Sequence, residues 1–194
     1  MKRVTFCFVL WLFIAAHANA QFMGKSRGFG GLELKLTEVN DETAVLFGGR
    51  IGTILNDTFV VGAGFYQLVG EVKPPPIPNE RLELVKEAPG LDLDYVGLNL
   101  EYIFAPQRPF HLAVGGLFGG GRARYRLGDN TVLEEEGIWV IEPGANLFFR
   151  FAPYLRAGLG ASYRSIFGVN RLSGLDESHL NGLSTAFQLQ FGMF

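Results

Sequence analysis

Between Leu93 and Phe104 the chain alternates: Val96, Leu98, Leu100, Tyr102 and Phe104 are separated by Gly97, Asn99, Glu101 and Ile103. A period of two places the two sets on opposite faces of an extended strand. The same pattern predicts eight strands, over Phe29–Thr37, Thr43–Leu55, Thr58–Val69, Leu93–Phe104, Phe110–Leu127, Ile138–Phe151, Tyr154–Ser165 and Leu183–Phe194. The third run is apolar in both phases, so its facing is open. In the fifth, Leu112, Val114, Gly116 and Phe118 share one phase. Beyond Gly119-Gly120-Gly121 the apolar set becomes Ala123, Tyr125 and Leu127, alternating with Arg122, Arg124 and Arg126. That predicts a phase flip, with the three glycines as a candidate β-bulge. Glycine numbers 26 of 194 residues, and it is costly in helix interiors, which again favours strands.

The first twenty residues read differently. Lys2 and Arg3 precede an apolar run from Val4 to Ala16, and Ala18-Asn19-Ala20 follows as a small-x-small site. This predicts a secretory signal peptide over 1–20, cleaved before Gln21, and one domain over 21–194. The run is too short to span a bilayer, which takes about 20 apolar residues. Cys7 is the single cysteine and leaves with the signal. A secreted domain without disulfides needs another source of stability. A closed barrel supplies one, since every strand is paired on both sides. Losing Lys2 and Arg3 takes the formal charge from −2 to −4. A mildly acidic chain with scattered cations argues against nucleic acid as a partner.

The connections sort by parity. Asn56-Asp57, Ala105–Pro109 and Ala152-Pro153 are short. They alternate with Glu38–Glu42, Gly70–Asp92, Gly128–Gly137 and Gly168–Gly182, three of them long and polar. Outer-membrane barrels have short periplasmic turns and longer external loops. The expected fold is therefore all-β: an eight-stranded antiparallel up-and-down transmembrane β-barrel. The apolar phase then faces lipid, with Tyr102, Phe104, Trp139, Phe149, Phe151, Tyr154 and Tyr163 as interface girdles.

Eight strands enclose a space that side chains fill. The polar phase predicts a lumen network of Arg50, Asn99, Glu101, Glu142, Asn146, Arg150, Arg156, Arg164, Gln188 and Gln190. A tight turn at Ala152-Pro153 sets Arg150 opposite Arg156, Asn146 opposite Gly160 and Glu142 opposite Arg164. Two arginines face to face are unfavourable and need a carboxylate, for which Glu101 is the candidate.

The stretch Ile141-Glu142-Pro143-Gly144-Ala145-Asn146-Leu147, with Leu155-Arg156, Gly160-Ala161-Ser162-Tyr163-Arg164 and the ending Phe191-Gly192-Met193-Phe194, resembles the second half of small bacterial outer-membrane β-barrel proteins, many uncharacterised. The resemblance is clearest from residue 138 onward. It implies residence in a Gram-negative outer membrane and insertion by the barrel assembly machinery, which reads the last strand through Phe191 and Phe194. It implies no shared activity. Phe194 departs from the common terminal signal by falling out of phase with Phe187, Leu189, Phe191 and Met193.

Little in the chain points to catalysis. His179 lies in Asp176-Glu177-Ser178-His179, and some eight-stranded barrels are lipid A deacylases with a Ser-His-acid set. No match to their histidine–serine motif is present, and adjacent residues rarely converge as a triad needs. His111 is expected at the periplasmic edge. Glu134-Glu135-Glu136 with Asp129 forms an acidic third loop, expected to be a solvated tip and not a calcium loop. Arg122, Arg124 and Arg126 either meet anionic lipid headgroups or, the preferred expectation, fill the upper lumen against loop carboxylates. Lys73-Pro74-Pro75-Pro76-Ile77-Pro78 is a stiff extended segment expected to fold over the barrel mouth. Gly115-Gly116 and Gly119–Gly121 are not phosphate loops, since no helix start follows.

The expected function is non-enzymatic: an integral outer-membrane barrel with a plugged polar interior and a structural or surface-interaction role carried by the external loops. No catalytic, cofactor or metal residues are expected. The expected partners are outer-membrane lipids and lipopolysaccharide. The alternatives are a narrow channel for a small, possibly apolar solute, a lipid-modifying enzyme, and a soluble ligand-binding barrel with its apolar phase inward.

Overall fold

A computed structural model describes residues 26–40, 42–70, 72, 89–127, 131–169, 172 and 174–194. The proposed signal segment, Lys73–Pro78 and Asp129 lie outside them. Eight strands form one closed barrel in chain order: β1 (Ser26–Val39), β2 (Glu42–Leu55), β3 (Phe59–Val69), β4 (Gly90–Phe104), β5 (Phe110–Arg126), β6 (Val132–Ala152), β7 (Leu155–Phe167) and β8 (Gly182–Gly192). Each pairs antiparallel with the next, and β8 closes on β1. A four-residue helix, α1 (Glu177–Leu180), sits in the last connection. At the β2–β3 turn Asn56 and Asp57 take φ of 50° and 65°, a region that short Asn and Asp side chains tolerate.

The alternation resolves into two faces. Leu32, Leu34, Leu98, Leu100, Val114, Phe118, Leu147, Phe187 and Phe191 point outward and are exposed, while their chain neighbours are turned inward. In β3, Phe59, Val61 and Phe65 face out and Val60, Tyr66 and Leu68 face in. The barrel therefore has an apolar exterior, the reverse of a soluble barrel. On β6 this band runs from Trp139, which pairs with Gly120, to Phe149, which pairs with Phe110. About 9–11 residues take a tilted strand across a bilayer, so these positions mark the two limits of the lipid layer.

The predicted bulge at Gly119–Gly121 is absent. The β4–β5 and β5–β6 registers run unbroken through the three glycines. Register shifts fall instead at Tyr125/Arg126 and Arg150/Ala152. The glycines answer to close packing on the inner face. A Cβ at Gly119 would lie 2.1 Å from the Val96 carbonyl oxygen, and one at Gly121 2.0 Å from that of Asp94. Since the strand does not flip, its chemistry does. Above Gly120 the outward residues are Arg122, Arg124 and Arg126, and the inward ones are the buried Ala123 and Tyr125.

This inversion is shared by the neighbouring strands. β5 and β6 contain 17 and 21 residues, far more than a bilayer requires. Above the lipid limit their interior is mainly apolar: Leu46, Leu68, Leu91, Leu93, Tyr125, Ile138, Val140 and Ile166 pack in one buried cluster, with Glu134 and Glu136 of β6 in the same inward phase. Leu172, Leu175 and Leu180 of the last connection complete it. A second, smaller apolar cluster closes the opposite end, beside the short turns, from Phe29, Ile54, Val60, Ile103, Ala113 and Phe148 with Phe194 against it. The acidic run Glu134–Glu136 lies within β6 and is no loop tip.

Candidate functional site

Between the two apolar clusters the barrel interior is charged. Lys35 from β1 reaches across to Glu142 on β6, Nζ to Oε1 at 2.7 Å. Ser162 Oγ donates to the same oxygen at 2.6 Å, and Tyr95 OH donates to Oε2 at 2.9 Å. Tyr66 OH donates to Glu33 Oε2 at 2.9 Å, and the Lys35 ammonium lies 3.5 Å from the centre of the Tyr66 ring. One step lower, Arg50 Nη2 stands 2.8 Å from Glu101 Oε1, which also accepts from Asn146 Nδ2 at 2.9 Å. Arg50 Nη1 donates to Gln188 Oε1 at 3.1 Å, and Gln188 Nε2 donates to Asn146 Oδ1 at 2.6 Å. Burying ions is tolerable only with such pairing and hydrogen bonding. The space left between Glu33, Arg50, Asn99 and Glu101 is a cavity of about 30 Å³, near the size of one water.

Arg156 closes the lower end of this network. Its Nε and Nη2 donate to Gln190 Oε1 at 2.9 and 2.7 Å. Its guanidinium carbon lies 4.3 Å from the ring centres of both Phe148 and Phe194 and 5.5 Å from that of Phe29, a stacked cation–π arrangement. Nη1 meets His111 Nε2 at 3.1 Å. Arginine only donates, so Nε2 accepts and the imidazole proton sits on Nδ1. Phe191, by contrast, points outward from β8.

Two expected pairings are not made. Arg150 does face Arg156 in the ladder, as Asn146 faces Gly160. Glu101, however, serves Arg50, and Arg150 turns to the Gln107 carbonyl at 3.2 Å. Glu142 and Arg164 form no ion pair. Glu142 is taken by Lys35, and Arg164 donates to the carbonyls of Leu180 and Glu38 at 2.9 and 3.0 Å. Arg164 thus ties the last connection to β1. The interior also contains residues outside the expected set: Glu33, Lys35, Tyr66, Tyr95, His111 and Ser162. The signal for Glu33 and Lys35 was their position in the polar phase of the first run; the tyrosines lay hidden in apolar runs.

The exterior above the lipid limit carries its own ion pairs. Arg124 Nη2 lies 2.8 Å from Asp92 Oδ2 and also bonds Asp94. Arg126 Nη2 is 2.6 Å from Asp92 Oδ2, and Glu135 Oε2 stands 3.8 Å from Arg124. The arginines do not fill the upper lumen: the unbroken strand register turns them to the outside. At the last connection, Ser178 Oγ donates to Asp176 and not to the His179 ring. His179 Nδ1 accepts from the Asp176 backbone, closing a capping box. A nucleophile–base contact is therefore missing from this trio. The Ser178 hydrogen bonds hold the Asp176 carboxyl below the usual carboxylate range.

No family model matches this chain, and no curated protein matches it. Solved structures do. Neisserial surface protein A superposes with a TM-score of 0.58 at 16% identity, covering 87% of this chain and 96% of that one. The fold is that of a small outer-membrane β-barrel. The N-terminal barrel domain of Pseudomonas aeruginosa OprF agrees, with a TM-score of 0.53 at 14% identity over 87% of this chain and all of that one. So does Ail, the attachment invasion locus protein of Yersinia pestis, at 0.50 and 16% identity over 87% and 96%. The barrel's apolar, aromatic-edged exterior is the physical counterpart of that likeness: such a surface belongs in lipid.

Proposed function

We propose that the barrel is a non-enzymatic outer-membrane protein with a plugged interior, whose role is surface interaction by the part standing above the lipid. The observation that carries this reading is the inversion of inside and outside chemistry in β4–β6. Strands that merely crossed the membrane would end near Trp139. These continue as a folded projection with an apolar core, and such a core has no use inside a conduit. The interior below is crossed by bonded side chains, and two of its cavities, one beside Glu33 and Arg50 and one beside His111 and Arg156, are each about 30 Å³. That is too small for a solute, which disfavours the narrow-channel reading. The solved complex of Ail with sucrose octasulfate, a heparin analogue, supports a surface role for a barrel of this shape.

On this reading residues 1–20 direct export and are removed, the domain is 21–194, and Phe191 and Phe194 belong to the strand read by the assembly machinery. The network from Arg50 to Gln190 is structural. Planar-bilayer recording on the refolded protein is the test. The expected trace is silent; stepwise unitary currents that persist in the purified protein overturn the plug and revive the channel.

A further inference from the structure

The ladder sets Arg150 of β6 opposite Arg156 of β7. Two guanidiniums held face to face repel, and such a pair calls for a negative charge beside it. The carboxylates at hand are spent elsewhere. Glu101 is committed to Arg50, and Asp57 is bonded to Arg27. Among the described residues, no carboxylate comes within ion-pair distance of Arg150 or Arg156. Their partners are neutral: the Gln107 carbonyl for Arg150, and the Gln190 amide oxygen and His111 Nε2 for Arg156. A guanidinium carries five N–H donors, so these contacts leave donors to spare on both arginines.

The two arginines meet at a cavity of about 30 Å³ at the short-turn end, which Arg27, Asp57 and His111 also line. Its lining sets three guanidinium charges against one carboxylate. Arg156 is 2% exposed and His111 4%. His111 Nδ1 is a further buried donor. The Arg108 and Pro109 carbonyls approach it, but neither makes a well-aligned hydrogen bond. A space close to one water in size has no room for a phosphate or an organic acid. It does have room for a monatomic anion. Guanidinium is weakly hydrated for a cation, so it gives up little in meeting such an ion in an enclosed space.

We propose that Arg150 and Arg156 bind a halide-sized anion in this cavity, with His111 Nδ1–H as a third donor. The anion is the missing counter-ion that lets the β6–β7 ladder close beside the Ala152-Pro153 turn. The site lies at the far end of the barrel from the projecting part, so it stands or falls independently of the surface role.

The test folds the full chain into phosphatidylcholine vesicles. The urea midpoint of the folded gel band is followed as sodium gluconate is replaced by sodium chloride at constant ionic strength. Gluconate is too large for the cavity. An anion that binds only the folded barrel raises the midpoint along a saturating curve. Arg150→Gln removes one of the two facing charges. It should be the more stable protein in gluconate, and should need about ten-fold more chloride for the same rise. The two midpoints therefore converge as chloride is added. A midpoint indifferent to the exchange, or an identical chloride curve for Arg150→Gln, overturns the site. An equal rise with acetate overturns the choice of a halide-sized ion. A second measurement needs no variant. Crystals of the unaltered protein soaked in sodium bromide should show anomalous scattering between the two guanidiniums, and a map without that peak overturns the proposal. A bromide peak with no chloride dependence in vesicles marks an adventitious ion only, and overturns it as well.

Discussion

The half of the barrel within the lipid and the half above it solve the burial problem in opposite ways. Within lipid, the outside is Leu100, Val114 and Phe187 and the inside is Lys35, Glu142, Arg50 and Glu101. Above it, the outside is Arg122, Arg124 and Asp92 and the inside is Leu93, Tyr125 and Ile138. The same strands pass through both. What changes is the solvent, and each face takes the chemistry its surroundings permit. The lower half depends on ion pairs that must all be made, because an unpaired charge in an enclosed space is expensive. The upper half depends on apolar packing of the kind found in soluble proteins, where loss of one side chain is graded.

The largest expected effect tests the lower half. Glu142→Ala leaves Lys35 with only the longer Glu33 contact, 3.9 Å away, and should cost about 3–5 kcal/mol, read as a lowered urea midpoint for the folded gel band in vesicles. Lys35→Met added to Glu142→Leu should recover most of that. A loss below about 1 kcal/mol in the single variant would show that Lys35 is hydrated and the lower half is not sealed. Next, Leu93→Ala in the upper core should cost about 2–5 kcal/mol. It should loosen that half locally, with faster proteolysis between β5 and β6 while heat-modifiable mobility persists. Equal loosening of the membrane part would merge the two halves into one cooperative unit.

The lipid boundary can be sharpened with a single substitution made at two depths. Leu100→Arg, near the middle of the band, should cost about 2–4 kcal/mol, and Val96→Arg, level with Gly120, about 0–1 kcal/mol. Similar costs at both would place the boundary elsewhere. Arg124→Gln in the outer belt should cost about 1 kcal/mol or less and fade with added salt. The smallest effect concerns α1. The Asp176 carboxyl titrates below its ordinary range when folded. Its capping contribution is therefore present above the unfolded value and is lost as pH falls through the lowered one. Amide exchange at Ser178 should quicken over that acidic window, and a pH-independent rate would show that the cap contributes nothing.

Strand number, order and facing were legible in the sequence because alternation is a local signal. Arg150 opposite Arg156 followed from one tight turn. What alternation does not encode is depth. It says that Arg122 and Phe118 share a face but not that a solvent boundary runs between them, so a change of chemistry was read as a change of facing. Cross-barrel partners were equally hidden. Glu142 finds Lys35, and Glu101 finds Arg50, across the lumen and not along a ladder, and no spacing in the chain announces such a contact. Helix α1 was missed because a single capped turn is too short to show a period.

The seam between β1 and β8 has a consequence for how the protein comes into being. Ser184 donates to Thr37, 147 positions earlier in the chain, and the whole seam joins segments comparably remote. Contacts of such separation yield nothing until the long intervening segment has been drawn together, which makes them slow to form. Until the seam meets, the nascent sheet has two open edges in a medium that offers their N–H and C=O groups no partners. Sealing it is therefore the committing step of biogenesis, after which the molecule has no edge left to fray.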